Sequence, residues 1–511
     1  MPAGFPHSTG QSDAKAGLTR NMPTSPLSES ARLRLSVARA PWLWVALAAA
    51  AALRGYALYR FGPLMQPDSE DYLAFARTIL SGGDWFWFGS VEGVTAFRMI
   101  GYPAVIAAAK LIAGELFDVL IVVLQSALSL VAMAQLYRVG RALAVPGWAA
   151  AFAAAAYGCG VIAVFDLNIL TDGLFASLLV IVVCQLAISI LEHRADRPIP
   201  ILLCGALLAA SVLVRDATLF ASPLFALGAF GWGYVEGKSW QRGLRAAVTF
   251  LLPVAIVSAA YVGWNQYRTG DRFLTTGSQY ALLMAPVMLE QNGIVVLREP
   301  VLREAHATTA PLADGPFFDR VLEMGRWLHK EKGLGAVERG RLAMAAYLTA
   351  WREAPFPMAS QVLREYRGNQ FLLLINFAHP WRELKGLSGQ ETNPGYRVFF
   401  AKLIADPSSK NLAVLIAELL SLALSGLVFA SFVGCGVFAL WRMANGARDP
   451  ETIVLAWFIV LHAGFVGMYA MVHLEARYTI AMQALALVGG IAVISRAVTQ
   501  MTRSRPAVPG S

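Results

Sequence analysis

The sequence predicts an all-α polytopic membrane protein: a bundle of about ten transmembrane helices with external juxtamembrane helices. Three observations predict it. Apolar runs near the roughly 20 residues that cross a bilayer recur from residue 41 to residue 495. Of the 511 residues, 57% are hydrophobic and only 15% are charged, too few charges for a soluble surface. The short connections between the runs alternate between basic and acidic.

The elements follow in order. Residues 1–40 are polar and rich in Ser, Pro, Ala and Arg, as expected for a disordered cytosolic tail. Arg32, Arg34 and Arg39 precede "PWLWVALAAAAALRGYALYR" (41–60), which is long and has no clear cleavage box. It is expected to be a retained first helix and not a signal peptide. Further spans are expected at 116–137, 144–164, 172–191, 199–214, 217–235, 246–265, 411–440, 451–472 and 478–495. The shorter run 99–113 is expected to be interfacial or re-entrant. The resulting organisation is a tail (1–40), a transmembrane module (41–265) with a first external loop (61–115), a long external loop (266–410), C-terminal helices (411–495) and a cytosolic tail (496–511). The long loop contains "RVLEMGRWLHKEKG" and "GRLAMAAYLTAWREAPFPMASQVLREYRG", whose helical spacing predicts juxtamembrane amphipathic helices, not another full domain. "FLLLINFA" (371–378) could dip into the bilayer.

With a cytosolic N-terminus, Arg138, Arg141, Lys238, Arg242, Arg245, Arg442 and Arg448 fall in cytosolic connections. Asp68, Glu70, Asp71, Asp84, Glu92, Asp166 and His473 then face outward, as the positive-inside rule expects. The net charge of +9 is spent at helix ends, and no zinc-finger spacing or compact basic module accompanies it, so nucleic acid is not an expected partner. Cys159, Cys184, Cys204 and Cys435 lie in or beside apolar spans without a CxxC spacing, and read as small buried hydrophobes.

The outward connections hold the candidate chemistry. "QPDSEDYLAFARTIL" (66–80) opens a helix at Pro67 and Asp68, so Asp68 could simply be its N-cap. It could instead take a proton from an attacking hydroxyl, orient that hydroxyl, or hold a divalent cation. Tyr72 lies on the same helical side, while Glu70 and Asp71 read as solvated. Trp85 and Trp87 in "GGDWFWFGS" could anchor at the interface or line a platform for a sugar or isoprenoid. Arg98 could meet a lipid phosphate or the phosphate of a reaction donor, and Tyr102 with Pro103 shapes the next helix entry. Asp166 and Asp172 in "VFDLNILTDGLFASLLV" are a second acidic helix entrance. Arg215 could pair with Asp216 or clamp a phosphate. His473 and Arg477 in "MYAMVHLEARYTIAMQALAL" could hold the same anionic group.

Four stretches, in this order, resemble membrane glycosyltransferases of the GT-C architecture: "PDSEDYLAFARTILSGGDW", "FRMIGYPAVIAAAKLI", "LTDGLFASLLV" with "LLAASVLVRDATLFASP", and "EARYTIAMQALAL". The groups resembled are the dolichyl-phosphate-mannose protein mannosyltransferases and bacterial relatives such as the lipid A aminoarabinose transferases. The resemblance implies an outward-facing cavity, a polyprenyl-phosphate sugar donor and Asp68 as the first-loop carboxylate. It implies a glycan, lipid or protein acceptor in the cell envelope, with the site facing the periplasm of a bacterial inner membrane. Donor phosphate would fall to Arg215, Arg477, Arg98 and His473, and substrate contacts to Tyr72, Asp172, Asp166, Trp85, Trp87 and Tyr102. Ser69 departs from the pattern, standing where many relatives carry a second acid, which weakens any metal assignment. A transporter or flippase is the alternative from another class, although no paired broken-helix repeat is visible.

Overall fold

The computed structural model describes residues 40–82, 93–192, 198–310, 317–369, 374–376, 379–388, 401, 404–405, 408–472 and 475–503. Among the described residues the regular structure is helical, apart from one isolated parallel bridge between Leu64 and Asn168. The long helices are α1 (Pro41–Phe61), α5 (Phe117–Ala142), α8 (Thr171–Leu191), α10 (Ala217–Gly237), α11 (Trp240–Thr269), α18 (Ser409–Ala444), α19 (Pro450–Val472) and α20 (Ile480–Arg503). Before α5 lie α2 (Pro67–Leu80), the single turn α3 (Val94–Phe97) and α4 (Gly101–Ala113). Between α5 and α8 are α6 (Gly147–Gly158) and α7 (Ile162–Leu167), and α9 (Pro198–Val214) precedes α10.

By length and composition, eight helical stretches among the described residues can cross a membrane, fewer than the ten expected. The difference has two causes. The expected span 144–164 is broken between α6 and α7 at Gly158-Cys159-Gly160, and α9 is short, with an apolar run of Ile199–Val214. The protein is therefore an integral-membrane helical bundle, with eight long apolar helical stretches among the described residues. The helix α8 is central, with 78% of its apolar window buried, against 22% for α18 at the periphery. A helix covered on every side needs no polar face, which is why α8 reads as a continuous apolar run.

Contacts sort the helix ends into two groups. At one end Arg496 donates to the Leu143 carbonyl at 2.8 Å and pairs with Glu451, while Arg448 meets the Tyr234 hydroxyl at 3.2 Å. At the other end Leu64, Asn168, Asp172, Arg215 and Arg477 are joined through the contacts described below. The basic and acidic connections of the sequence thus separate in space.

The long loop is more than a set of helices lying on a surface. Its helices α12 (Ser278–Gln291), α13 (Pro300–Thr309), α14 (Phe317–Lys332) and α15 (Ala336–Glu353) bury an apolar core of their own around Val287, Leu302, Val321 and Met324, and α16 (Pro355–Asn369) adds Met358 to a second cluster with Leu289 and Tyr347. Glu290 closes its turn by accepting the Val296 and Leu297 amides, each at 2.6 Å. Tyr347 fastens the assembly to the end of α19 by donating to the Met471 carbonyl at 2.9 Å. The described part of 371–378 is Leu374–Asn376, where Ile375 donates its amide to Ser425, midway along α18, at 3.0 Å. α17 (His379–Leu387) follows it.

Candidate active site

Helix α2 is capped so that Asp68 stays free. Gln66 is the N-cap, Pro67 the first helical residue, and the third, Ser69, accepts the Gln66 amide at 2.9 Å. Ser69 is fully buried in this role. Asp68 is therefore not the cap that its position suggested, and the serine at the departing position does the capping. Asp172 is likewise the second residue of α8, after the N-cap Leu170. Both carboxylates sit in a first helical turn, where the helix dipole favours negative charge.

Asp68 and Asp71, one turn apart, converge on Arg98. Arg98 donates to Asp68 Oδ1 at 2.9 Å and to Asp71 Oδ2 from Nε at 3.0 Å and from its terminal nitrogen at 2.8 Å. Its guanidinium also lies 5.0 Å from the centre of the Tyr72 ring. Burial works against the Arg98 charge, but the Tyr72 ring and the Asp68 and Asp71 carboxylates outweigh it and hold its pKa above the usual arginine value. Asp71 is thus an ion-pair partner as well as a solvated residue, and Glu70 is exposed as expected. The turn that presents Arg98 is clamped by buried Arg268, which donates to the Thr95 carbonyl at 2.9 Å and the Thr95 hydroxyl at 3.1 Å.

Across the cluster, Arg215 donates to Asp172 Oδ1 at 2.9 Å and stacks 4.1 Å from the Tyr478 ring centre. Burial again opposes its charge, but Asp172 together with Tyr469, Tyr478 and Tyr72 outweighs it, so Arg215 also stays protonated more firmly than a free arginine. The local Arg215–Asp216 pair is not formed; Asp216 takes the Thr275 hydroxyl instead. Arg477 joins the two halves. It reaches Asp68 Oδ2 at 3.6 Å and Asp172 Oδ2 at 3.7 Å, and its Nε makes a 2.5 Å ion pair with Glu475 without hydrogen-bond alignment. Three guanidiniums and four carboxylates, from α2, the Arg98 turn, α8, the α9–α10 turn and the segment before α20, thus form one row.

The terminal nitrogens of Arg477 make only long contacts with Asp68 and Asp172, whereas those of Arg98 and Arg215 sit in close pairs and Arg477 itself is held through Nε by Glu475. Asp68 is open, with its side chain 40% exposed; Asp172 is nearly closed off at 3%. Gly101 lets the two halves approach: a Cβ there would lie 2.6 Å from the Leu213 backbone, two residues before Arg215.

Asp166 and Tyr102 lie beneath this row and not on its open face. Asp166 is fully buried, with Oδ2 taken by Arg54 at 2.9 and 2.7 Å and Oδ1 by Ser129 at 2.8 Å. An arginine buried within a membrane helix needs such a partner. Tyr102 is fully buried and gives its hydroxyl to Gln125 at 3.0 Å. Direct substrate contact, expected of both, does not fit this placement. Trp85, Trp87 and His473 lie outside the described residues. Among the described residues no three His, Cys, Asp or Glu side chains converge as a metal site. The residues nearest to that chemistry, Asp68 and Asp71, share Arg98.

No family model matches the chain, and no curated protein matches it. Solved structures do. The archaeal oligosaccharyltransferase AglB from Archaeoglobus fulgidus, in complex with an inhibitory peptide and a dolichol-phosphate, is 13% identical, with a TM-score of 0.47 over 92% of this chain and 52% of that one. Its apo form gives 14% identity and 0.47 over 92% and 51%. ArnT from Cupriavidus metallidurans, bound to undecaprenyl phosphate, gives 16% identity and 0.32 over 88% and 78%. The chain spans about half the length of the archaeal structures. No residue role is carried across at these similarities.

Sequence reasoning missed Arg54, Gln125, and the pairing of Asp71. The Asp68/Asp71 spacing of one helical turn was a usable signal for the last. An arginine inside an apolar run was a signal for the first.

Proposed function

We propose that the protein transfers a sugar from a polyprenyl-phosphate-linked donor to an acceptor hydroxyl of a cell-envelope glycan, lipid or protein. The site would face outward, the periplasm in a bacterial inner membrane. The observation that carries this reading is the position of Asp68: an open carboxylate in a row of arginines drawn from separate segments at one end of a membrane bundle. The order of the four sequence stretches that resemble GT-C enzymes supports the same reading.

The chemistry needs what the row offers. The acceptor oxygen attacks the anomeric carbon as the bond from that carbon to the phosphate oxygen breaks. The bonding pair leaves with the phosphate, and the acceptor proton passes to Asp68. The released polyprenyl phosphate gains negative charge, which Arg477 and Arg215 stabilise. A phosphate departs as an anion, so a second carboxylic acid to protonate it is not needed, unlike in glycoside hydrolysis. Direct displacement inverts the anomeric centre. Arg98 fixes the Asp68 carboxylate in place and is less available to the phosphate than sequence alone suggested.

The test is transfer by purified protein in liposomes. Labelled polyprenyl-phosphate sugars serve as donors and an envelope extract as acceptor, with Asp68→Asn as control. Wild-type transfer that is lost in a folded Asp68→Asn supports the reading. Equal transfer by both keeps the class and removes Asp68 as base. No transfer over a broad donor panel, with donor crossing the bilayer instead, favours a transporter or flippase.

A further inference from the structure

Beneath the ion-pair row, Gln125 of α5 takes no part in the proposed chemistry, yet its side chain joins two of the segments that build the site. It is 1% exposed. Its amide nitrogen donates to the carbonyls of Asp166 and Asn168, each at 3.0 Å, and its amide oxygen accepts the Tyr102 hydroxyl at 3.0 Å. Two carbonyls can only accept, so the partners themselves fix which end of the amide is nitrogen.

Two of these contacts, Asn168 and Tyr102, lead on to the functional side chains. Asn168 lies in the parallel bridge to Leu64, where Leu64 donates to the Leu167 carbonyl and Ile169 donates to the Leu64 carbonyl, both at 2.9 Å. Leu64 stands just before α2 and Asp68; Ile169 stands just before α8 and Asp172. Tyr102 meets Tyr72 edge-on, with ring centres 5.2 Å apart, and Tyr72 carries the Arg98 guanidinium. One amide is therefore bonded directly to the segment that leads into α8 and Asp172 and to α4 beside Arg98, and it reaches the start of α2 and Asp68 through the Leu64 bridge. A glutamine paired within its own helix would find its partner three or four residues away. All three partners here are instead distant in sequence and adjoin the site.

We infer that Gln125 is a positioning residue that sets the separation of Asp68 and Asp172, the gap that Arg477 spans. The kinetic part of this inference rests on the proposed transfer; the structural part does not.

The experiment uses the full-length protein with Gln125→Met, and Tyr102→Phe as a milder variant that removes a single bond. Hydrogen exchange is followed at the Leu64 and Ile169 amides, with α10 as internal control. Undecaprenyl phosphate binding and kcat are measured alongside. The expected result for Gln125→Met is exchange faster by about tenfold at Leu64 and Ile169 with α10 unchanged. With it, kcat falls by about tenfold or more while the Kd for undecaprenyl phosphate stays within about threefold, because Arg215 and Arg477 remain. If Gln125→Met does not fold, Tyr102→Phe must show the same pattern at smaller amplitude. Wild-type exchange at both amides in a folded variant overturns the inference. So does faster exchange with unchanged kcat, which would leave Gln125 a purely structural residue. If the wild type transfers nothing, the transferase reading fails and the exchange result alone decides whether Gln125 ties the segments together.

Discussion

Arg477→Lys is the most informative perturbation of the row. Arg477 directs three nitrogens at three carboxylates, Asp68 at 3.6 Å, Asp172 at 3.7 Å and Glu475 at 2.5 Å. An ammonium keeps the charge but has one nitrogen, so it cannot span Asp68 and Asp172 or grip a phosphate with two parallel bonds. Each charge-assisted hydrogen bond contributes roughly 1.5–3 kcal/mol. In the proposed transfer, losing one of two as the phosphate departs would cost about that much in the transition state, or about 10- to 150-fold in kcat. Folding should hardly suffer, because Asp68 keeps Arg98 and Asp172 keeps Arg215. The assay is single-turnover release of polyprenyl phosphate from a saturating labelled donor, with thermal unfolding measured in parallel. The reasoning is refuted if the variant keeps wild-type kcat, or if only KM rises, because either result removes Arg477 from transition-state stabilisation.

Further outcomes follow from the same contacts. Arg54→Met should destabilise by about 3–5 kcal/mol by stranding the buried Asp166 carboxylate; adding Asp166→Leu should recover much of the lost unfolding temperature, and strictly additive losses would rule out the pair. Gly101→Ala should cost about 1–3 kcal/mol by forcing α4 off α9, read as a lowered unfolding temperature together with weakened transfer; an unchanged protein would mean the close approach is not rigid. Asp449 accepts the Thr452 amide at 2.9 Å and its hydroxyl at 2.8 Å, ahead of α19. Burial opposes its charge, but these bonds and Arg442 outweigh it and hold its carboxyl below the usual range. Its stabilisation is therefore present above the unfolded pKa near about 4 and lost as pH falls through the lower folded value. Asp449→Ala should cost roughly 0.5–1 kcal/mol at neutral pH, with the gap to wild type narrowing in acid; a gap that stays constant down to acid would show that the charge is not the source.

The membrane spans were legible because a bilayer imposes a local rule: enough consecutive apolar residues, with basic and acidic connections sorted by side. That rule found α1, α5, α8, α10, α11 and α18–α20, and it grouped Asp68, Asp172, Arg215 and Arg477 at one end. It overcounted where Gly158-Cys159-Gly160 breaks a run into pieces too short to cross as one helix. It underestimated the long loop, whose helices bury one another, because an amphipathic stripe looks the same facing lipid or a neighbouring helix.

The sequence by itself determined which residues are charged inside an apolar chain, and so which need partners. Only the tertiary structure decided the partners. Asp166 and Asp172 lie six residues apart in matching settings, yet one is sealed against Arg54 of α1 and the other joins the open row. Asp68 and Ser69 are neighbours at a helix start, yet the serine caps and the aspartate reaches out. An ion pair is fixed by distance and desolvation in space, and both arise between segments that the chain order leaves far apart.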